Sequence, residues 1–257
     1  MLNRTKEIKK DISKIDSIEE RLDFIKDKYS DETAYVVTCG PSLKEYEKDY
    51  LLELLKDKFV ISLKQSYDVV GEVADFHILN TYNLQEYKWT GDNIVFWTVS
   101  KSYTENQLNR IVTNKWQIDL YVPVVNPPYI TRQQTTAALK NFDNFRKLST
   151  DTEVVWGPGT MLELGLSLPI HLGCKDIVTI GWDIGDPNKE WIDSNGKHQH
   201  FYSQLPDCTP ESGEIVEAIE STEQMYNWFV DNNINFNIIS DKNPAYSKIN
   251  RLQIEDI

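Results

Sequence analysis

The sequence predicts an α/β fold: a Rossmann-like, mostly parallel sheet with helices on both faces. Three observations lead there. From Tyr35 onward, short β-branched or aromatic runs recur along the chain. Helical patterns stand between several of them, as in βαβ units whose strands are buried on both faces. With 40% hydrophobic residues over 257 positions, the chain can also fill a sizeable core.

The first thirty residues follow a different rule. Ile8, Ile12, Ile15, Ile18, Leu22 and Ile25 recur at steps of three or four, which is helical. Ser17 and Glu20 fit a capping box, so the segment reads as two helices. Residues 1–30 are therefore an N-terminal helical extension, and residues 31–257 a single α/β domain. The apolar stripe has two readings: a seam for a homo-oligomer, or a helix pair packed on the domain itself.

The strand candidates follow in order: Ala34–Thr38, Phe59–Leu63, Asp75–Leu79, Ile94–Thr98, Leu120–Val122, Val154–Trp156, Ile177–Ile180 and Asn235–Ile239. Helical patterns cover Leu43–Lys56, Thr104–Thr113, Thr131–Lys147, Thr160–Leu172 and Glu214–Asp231. Gly185–Gly213 breaks the rhythm. It has no periodicity, is rich in Asp, Asn, Pro, Ser and Gly, and carries His198, His200, Trp191 and Tyr202. A connection that long, following a strand and bearing aromatic and histidine side chains, reads as a lid over a site.

Charge and motif content exclude several functions. The net charge of −13 argues against non-specific nucleic-acid binding and against docking on anionic lipid by charge alone. The longest apolar runs, such as Ile177–Gly181, fall far short of the roughly 20 residues that span a bilayer. The N-terminus carries no apolar signal core, so the expected location is cytoplasmic. Cys39, Cys174 and Cys208 are scattered and odd in number, which gives neither a disulfide framework nor a zinc finger. There is no G-x-x-x-x-G-K-[ST] and no G-x-G-x-x-G.

Ligands of open α/β sheets sit beyond the carboxyl ends of the strands, so the residues just after each strand are the candidates. Thr38-Cys39-Gly40-Pro41-Ser42-Leu43 follows a strand and opens a helix. Gly40 allows a tight turn, and Ser42 with Glu45 fits a capping box. Such a helix start can receive a phosphate or can merely begin a helix. Gly157-Pro158-Gly159-Thr160 repeats the arrangement, with Thr160 and Glu163 as a second box. Asp183 lies at or just past the carboxyl end of the Ile177–Ile180 strand. There it can bind a ribose hydroxyl, a metal or a nucleophile's proton, or can cap the next turn. His198 and His200 titrate near neutral pH and suit general-base work. His-x-His can also hold a metal with Asp183, Asp186 or Asp193, or can simply be exposed. Ser247 and Lys248 follow the last strand and can complete a phosphate site or form a surface turn. Lys64 and Asn80, each just after a strand, are further polar candidates. His77 and His171 read as structural.

Two blocks resemble a known group of enzymes. VVTCGPSLKE resembles the first strand, turn and helix of the family 42 sialyltransferases, whose turn reads G-N-G-P-S-L. GPGTMLELGLSLPIHLGCKDIVTIGWDIGD resembles their small-residue turn, a helix ending in Leu-Gly and a strand ending in Gly-x-Asp. Both blocks also resemble the motility accessory factors and the archaeal 6-hydroxymethylpterin pyrophosphokinases. DSNGKHQHF echoes a Gly- and His-containing stretch of the accessory factors, and IISDKNPAYSKINRL is similar to the closing turn of the sialyltransferases. The two blocks cover about forty residues.

The resemblance implies a GT-A-variant sheet and a CMP-activated sugar donor. Under it, Gly40, Pro41 and Ser42 lie by the donor phosphate, and Thr160, or Gly159 beside it, takes the place of a Ser-Gly turn near the donor, with Gly157 a further donor-binding candidate. Asn80 matches a strand-end Asn, and Ser247 and Lys248 lie by the phosphate. The proposed base of the family corresponds to His200 or His198. Three positions depart from the pattern. Cys39 replaces the first-turn Asn, Lys64 stands where an Asn follows the second strand, and Ile184 and Gly185 follow Asp183 where a phosphate-binding Tyr is expected. Trp191 and Tyr202 are the aromatic candidates for that role.

The expected function is inverting transfer of a sialic or other nonulosonic acid from a CMP donor to a hydroxyl of a glycan or other acceptor. Phosphate as leaving group requires no metal or other cofactor. One alternative is a pyrophosphokinase acting with ATP and Mg²⁺ on a pterin-like alcohol. The other is a non-catalytic nucleotide-binding or scaffold protein.

Overall fold

The computed structural model describes residues 2–80, 92–100, 118–125, 148, 154–155, 164–184, 212–240 and 243–257. The strands are β1 (Thr33–Val37), β2 (Phe59–Leu63), β3 (Phe76–Asn80), β4 (Ile94–Ser100), β5 (Leu120–Val125), β6 (Val154–Val155), β7 (Asp176–Ile180), β8 (Asn235–Ile239) and β9 (Asn250–Arg251). They form one open nine-stranded sheet in the order β6-β5-β4-β3-β2-β1-β7-β8-β9. Every ladder among the described residues is parallel. This is the Rossmann-like α/β architecture that the sequence predicts.

The helices are α1 (Asn3–Ile12), α2 (Ile18–Ile25), α3 (Lys48–Leu55), α4 (Tyr67–Val70), α5 (Ser167–His171) and α6 (Ser212–Asp231). Their faces follow from strand order. From β1 to β3 the chain steps outward in one direction, and from β7 to β8 it steps in the other. Right-handed crossovers then require α3 and α4 on one face and α6 on the opposite one. Burial agrees. Leu51 and Leu55 of α3 and Val70 of α4 share a core with Val37, Val60, Val178, Ile180 and Ile239. Met225 and Phe229 of α6 share another with Val36, Phe59, Ile61, Ile177 and Ile238. Neighbouring strand residues therefore serve opposite cores, as the period of two dictates. All five residues of β2 are buried.

The N-terminal segment forms two helices, and Ser17 caps the second, its hydroxyl accepting the Glu20 N–H at 3.4 Å. Ile8, Ile12, Leu22 and Ile25 are buried in the same core as Phe59 and Phe76. Polar contacts fix the pair at the amino end of the sheet. Thr5 donates to Asp75 at 2.5 Å, and the Leu2 N–H donates to the same oxygen at 2.8 Å. Lys9 reaches Asp119 at 3.3 Å, and Arg21 donates to the Asp119 carbonyl.

The structure corrects the expected helix Leu43–Lys56. A 3-10 turn, Pro41–Glu45, is followed by a break at Tyr46 and Glu47, both extended, before α3 begins. Gly40 is the N-cap of that turn, so the Ser42–Glu45 capping box does not form. The Ser42 hydroxyl has a stronger acceptor elsewhere. The short elements α4 and β9 had no sequence prediction. The helical patterns at Thr104–Thr113 and Thr131–Lys147, the start of the one at Thr160, Trp156 and residues 185–211 of the expected lid 185–213 lie outside the described residues, while its last two, Ser212 and Gly213, open α6.

Candidate functional site

Strand order reverses between β1 and β7. The chain leaves β1 toward β2 and returns on the far side to β7. At such a point the two outgoing connections diverge and leave a crevice beyond the strand ends. The residues that end β1 and β7 therefore form its floor.

They are tied together tightly. Past the end of β1, the Thr38 N–H donates to the Ile180 carbonyl at 2.9 Å, and the Thr38 hydroxyl donates to the Gly181 carbonyl. The Gly40 N–H donates to the same Gly181 carbonyl at 2.8 Å. The Ser42 N–H donates to Asp183 Oδ2 at 2.8 Å, and the Ser42 hydroxyl to Asp183 Oδ1 at 2.7 Å. These partners are 141 residues apart in sequence.

Glycine is required at both turns. A Cβ on Gly40 would lie 2.2 Å from the Gly181 carbonyl oxygen and 2.3 Å from Asp183 Oδ2. Gly181 has φ +74°, a left-handed conformation that suits residues without Cβ. Ile184 also has positive φ, at 60°. For a β-branched residue that conformation is strained.

Asp183 is 3% exposed. Burial pushes its carboxyl above the ordinary range, while the two bonds from Ser42 and the nearby Ser240 hydroxyl favour the ionised form. Asp183 thus acts here as the acceptor that the 3-10 turn lacks within its own segment.

The β2 side of the crevice carries Cys39, Lys64 and Gln65, with the Asp68 carboxylate near enough to act on the Cys39 thiol. The Cys39 thiol donates to the Leu63 carbonyl at 3.1 Å and lies 3.8 Å from Gln65 Oε1. Burial pushes that thiol up to about 11, so it stays protonated near neutral pH. Lys64 directly follows β2, with φ 52°, and is half-buried. Gln65 is buried, and its Nε2 has no hydrogen-bond partner among the described residues. Gln65 is not among the sequence candidates, although it stands beside Lys64 just past the apolar run Phe59–Leu63. Ser66 staples the two strands, its hydroxyl donating to the Val37 carbonyl at 2.8 Å.

Asn80 is the last residue of β3, in register with Thr98 of β4. Beyond β8, Asn243 donates to the Trp182 carbonyl and accepts from the Ala245 N–H at 2.8 Å, which holds the closing loop against the turn after β7. Ser247 and Lys248 lie on that loop and are exposed, with the Lys248 ammonium 5.8 Å from the Tyr246 ring centre. Cys39, Gly40, Pro41, Ser42, Lys64, Asn80 and Asp183 thus share the carboxyl edge of the sheet. Gly157, Gly159, Thr160, Trp191, His198, His200 and Tyr202 lie outside the described residues.

The two described histidines are buried. His77 Nδ1 is 2.9 Å from the Ser62 hydroxyl, and burial drives its pKa down to about 3. His171 Nδ1 accepts the Leu148 N–H at 3.2 Å, so Nε2 carries the proton shared with the Leu22 carbonyl at 2.9 Å. Among the described residues no three His, Cys, Asp or Glu side chains are grouped to hold a metal ion, and no helix is long and apolar enough to cross a membrane.

No protein-family model matches the chain, and no curated protein matches it significantly.

Proposed function

We propose that the chain is an inverting glycosyltransferase that takes an acidic sugar of the sialic or nonulosonic type from a CMP-activated donor. One observation carries the reading. The segments that resemble the sialyltransferases, Gly40–Ser42 and Gly181–Asp183, meet at the point where strand order reverses, joined by the two Ser42–Asp183 bonds. Crevices at such points are where open α/β sheets take nucleotides. Lys64 and Asn80, at the ends of the next two strands, extend the same edge.

In this reading His200 or His198 takes the proton of the acceptor hydroxyl as that oxygen attacks the anomeric carbon. The bond from that carbon to the donor phosphate breaks, and CMP leaves with the electron pair. Cationic groups, with Lys64 and Lys248 as candidates, stabilise the phosphate as its charge grows.

The test is thermal unfolding against CMP, CDP, UDP, GDP, AMP and ATP, each with and without Mg²⁺. A ligand at about 100 times its Kd adds about 2.7 kcal/mol, which raises Tm by several degrees. A shift with CMP or CDP that is independent of Mg²⁺ is expected. A shift only with ATP and Mg²⁺ refutes the reading in favour of a pyrophosphokinase. No shift with any nucleotide refutes it in favour of a non-catalytic protein. With a donor identified, the double replacement His198→Ala and His200→Ala is expected to keep donor binding and abolish turnover.

A further inference from the structure

The turn after β1 has the look of a phosphate seat, yet its donors are already engaged. The Gly40 N–H goes to the Gly181 carbonyl, Pro41 has no N–H, and the Ser42 N–H and hydroxyl go to Asp183. The Leu43 N–H closes on the Gly40 carbonyl at 3.1 Å. No donor from Gly40 to Leu43 remains for a ligand. The Asp183 carboxylate packs where a Gly40 Cβ would stand, which leaves no space for a second anion between them.

We infer that Asp183 is a positioning residue that fills the anion place at Ser42 from within the chain, so that the ligand's phosphate is met outside this turn and the crevice floor receives the uncharged nucleoside part. This inference rests on the nucleotide-sugar reading and specifies how the ligand lies. The polar groups beside the clamp suit ribose hydroxyls and base edges. They are the Gln65 amide, whose Nε2 has no hydrogen-bond partner among the described residues, and the Ser240 hydroxyl, both neutral and both buried, whereas the Cys39 thiol is already given to the Leu63 carbonyl. A phosphate here would face the Asp183 carboxylate at short range, and like charges in a partly buried crevice repel strongly. Lys64, one strand away from β1, is the cation on the β2 side.

The experiment is calorimetric titration of the full chain with cytidine, CMP and inorganic phosphate, and of the Ser42→Ala and Asp183→Asn variants with cytidine and CMP. Cytidine is expected to bind within about tenfold of CMP, and about 10 mM phosphate is expected neither to bind nor to displace cytidine. Ser42→Ala weakens both ligands by the same factor, so their ratio stays within about threefold. Asp183→Asn removes the repelling charge and raises the preference for CMP over cytidine, whereas a merely structural role would weaken both alike. The inference is overturned if phosphate displaces cytidine from the wild-type chain. A Ser42→Ala variant that loses the CMP preference about tenfold overturns it, as does an Asp183→Asn variant whose preference does not rise. If either variant fails to fold, phosphate competition on the wild-type chain decides. Parallel titrations with uridine, adenosine and guanosine and their monophosphates separate the two failures. A different nucleoside–monophosphate pair that follows the same rule upholds the inference and refutes the cytidine part of the functional reading. No binding by any pair overturns both.

Discussion

His77 gives a quantitative test of the buried sheet. It is the second residue of β3 and has no solvent exposure, its ring 4.4 Å from that of Tyr67 and its Nδ1 on the Ser62 hydroxyl. Burial lowers its pKa from 6.5 to about 3. The native state therefore resists a proton that the unfolded chain accepts. For a base with a lowered folded pKa, the contribution to stability is complete above the unfolded value and is lost as pH falls from 6.5 toward 3. The limiting slope is about 1.4 kcal/mol per pH unit. Between pH 7.5 and 5.0 the loss is about 2 kcal/mol, equivalent to about 4–8 °C in Tm for a chain of this size.

Other buried groups are shifted as well. His171 is also lowered by burial, whereas Asp75 and Asp183 are raised by burial and act in the opposite sense, favouring the native state as pH falls. A difference measurement removes them. Urea unfolding of the wild type and of His77→Asn, which keeps a polar atom near the Ser62 hydroxyl, is followed at several pH values from 7.5 to 5.0. The stability gap between the two proteins is expected to shift by about 2 kcal/mol across that range, the wild type losing ground at low pH. A gap constant to within about 0.5 kcal/mol would refute the reasoning, since it would mean that His77 binds protons equally in both states.

Three further outcomes follow from the same structure. Gly40→Ala drives a Cβ into the Gly181 carbonyl and the Asp183 carboxylate, and is expected to cost about 2–3 kcal/mol by urea unfolding, whereas an unchanged midpoint would contradict the close packing of the clamp. Asp75→Ala strips the acceptor from the Thr5 hydroxyl and from the Leu2 and Val60 N–H groups. It is expected to cost about 3 kcal/mol and to speed tryptic cleavage at Lys9 and Lys10, while cleavage at the wild-type rate would show that α1 does not depend on this anchor. Lys64→Gly relieves a left-handed lysine at φ 52°, so Tm is expected to rise by an amount equivalent to about 0.5–1 kcal/mol while CMP binding weakens. A fall in Tm would mean that the lysine's packing outweighs its strain.

Much of the sheet was legible from the residues alone. Phe59–Leu63 and Asn235–Ile239 match their strands end to end, because a strand buried on both faces concentrates apolar residues that helices and turns do not. The N-terminal helices were legible from isoleucine spacing and Ser17. The short α4 and the two-residue β9 offer too few residues for a period to emerge. The predicted helix from Leu43 to Lys56 has the right spacing, yet the chain breaks at Tyr46. Periodicity reports the buried face but cannot register that Ser42 is held by a carboxylate in the turn beyond another strand.

The same division runs through the site. Sequence placed Gly40, Ser42, Lys64, Asn80 and Asp183 each just beyond a strand, since turn residues and the ends of apolar runs are local properties. It left open whether Asp183 meets a ligand, a metal or its own chain. The bonds from Ser42 to Asp183 appear only with the pairing of β1 with β7, which brings together residues 141 positions apart. Strand order depends on which crossovers bury the most surface and satisfy the right-handed rule, and no local pattern encodes it. The residues by themselves determined that this chain builds a parallel α/β sheet with polar strand ends. The tertiary structure determined that two of those ends close on each other, because a buried carboxylate must find donors and the nearest ones belong to the turn across the reversal.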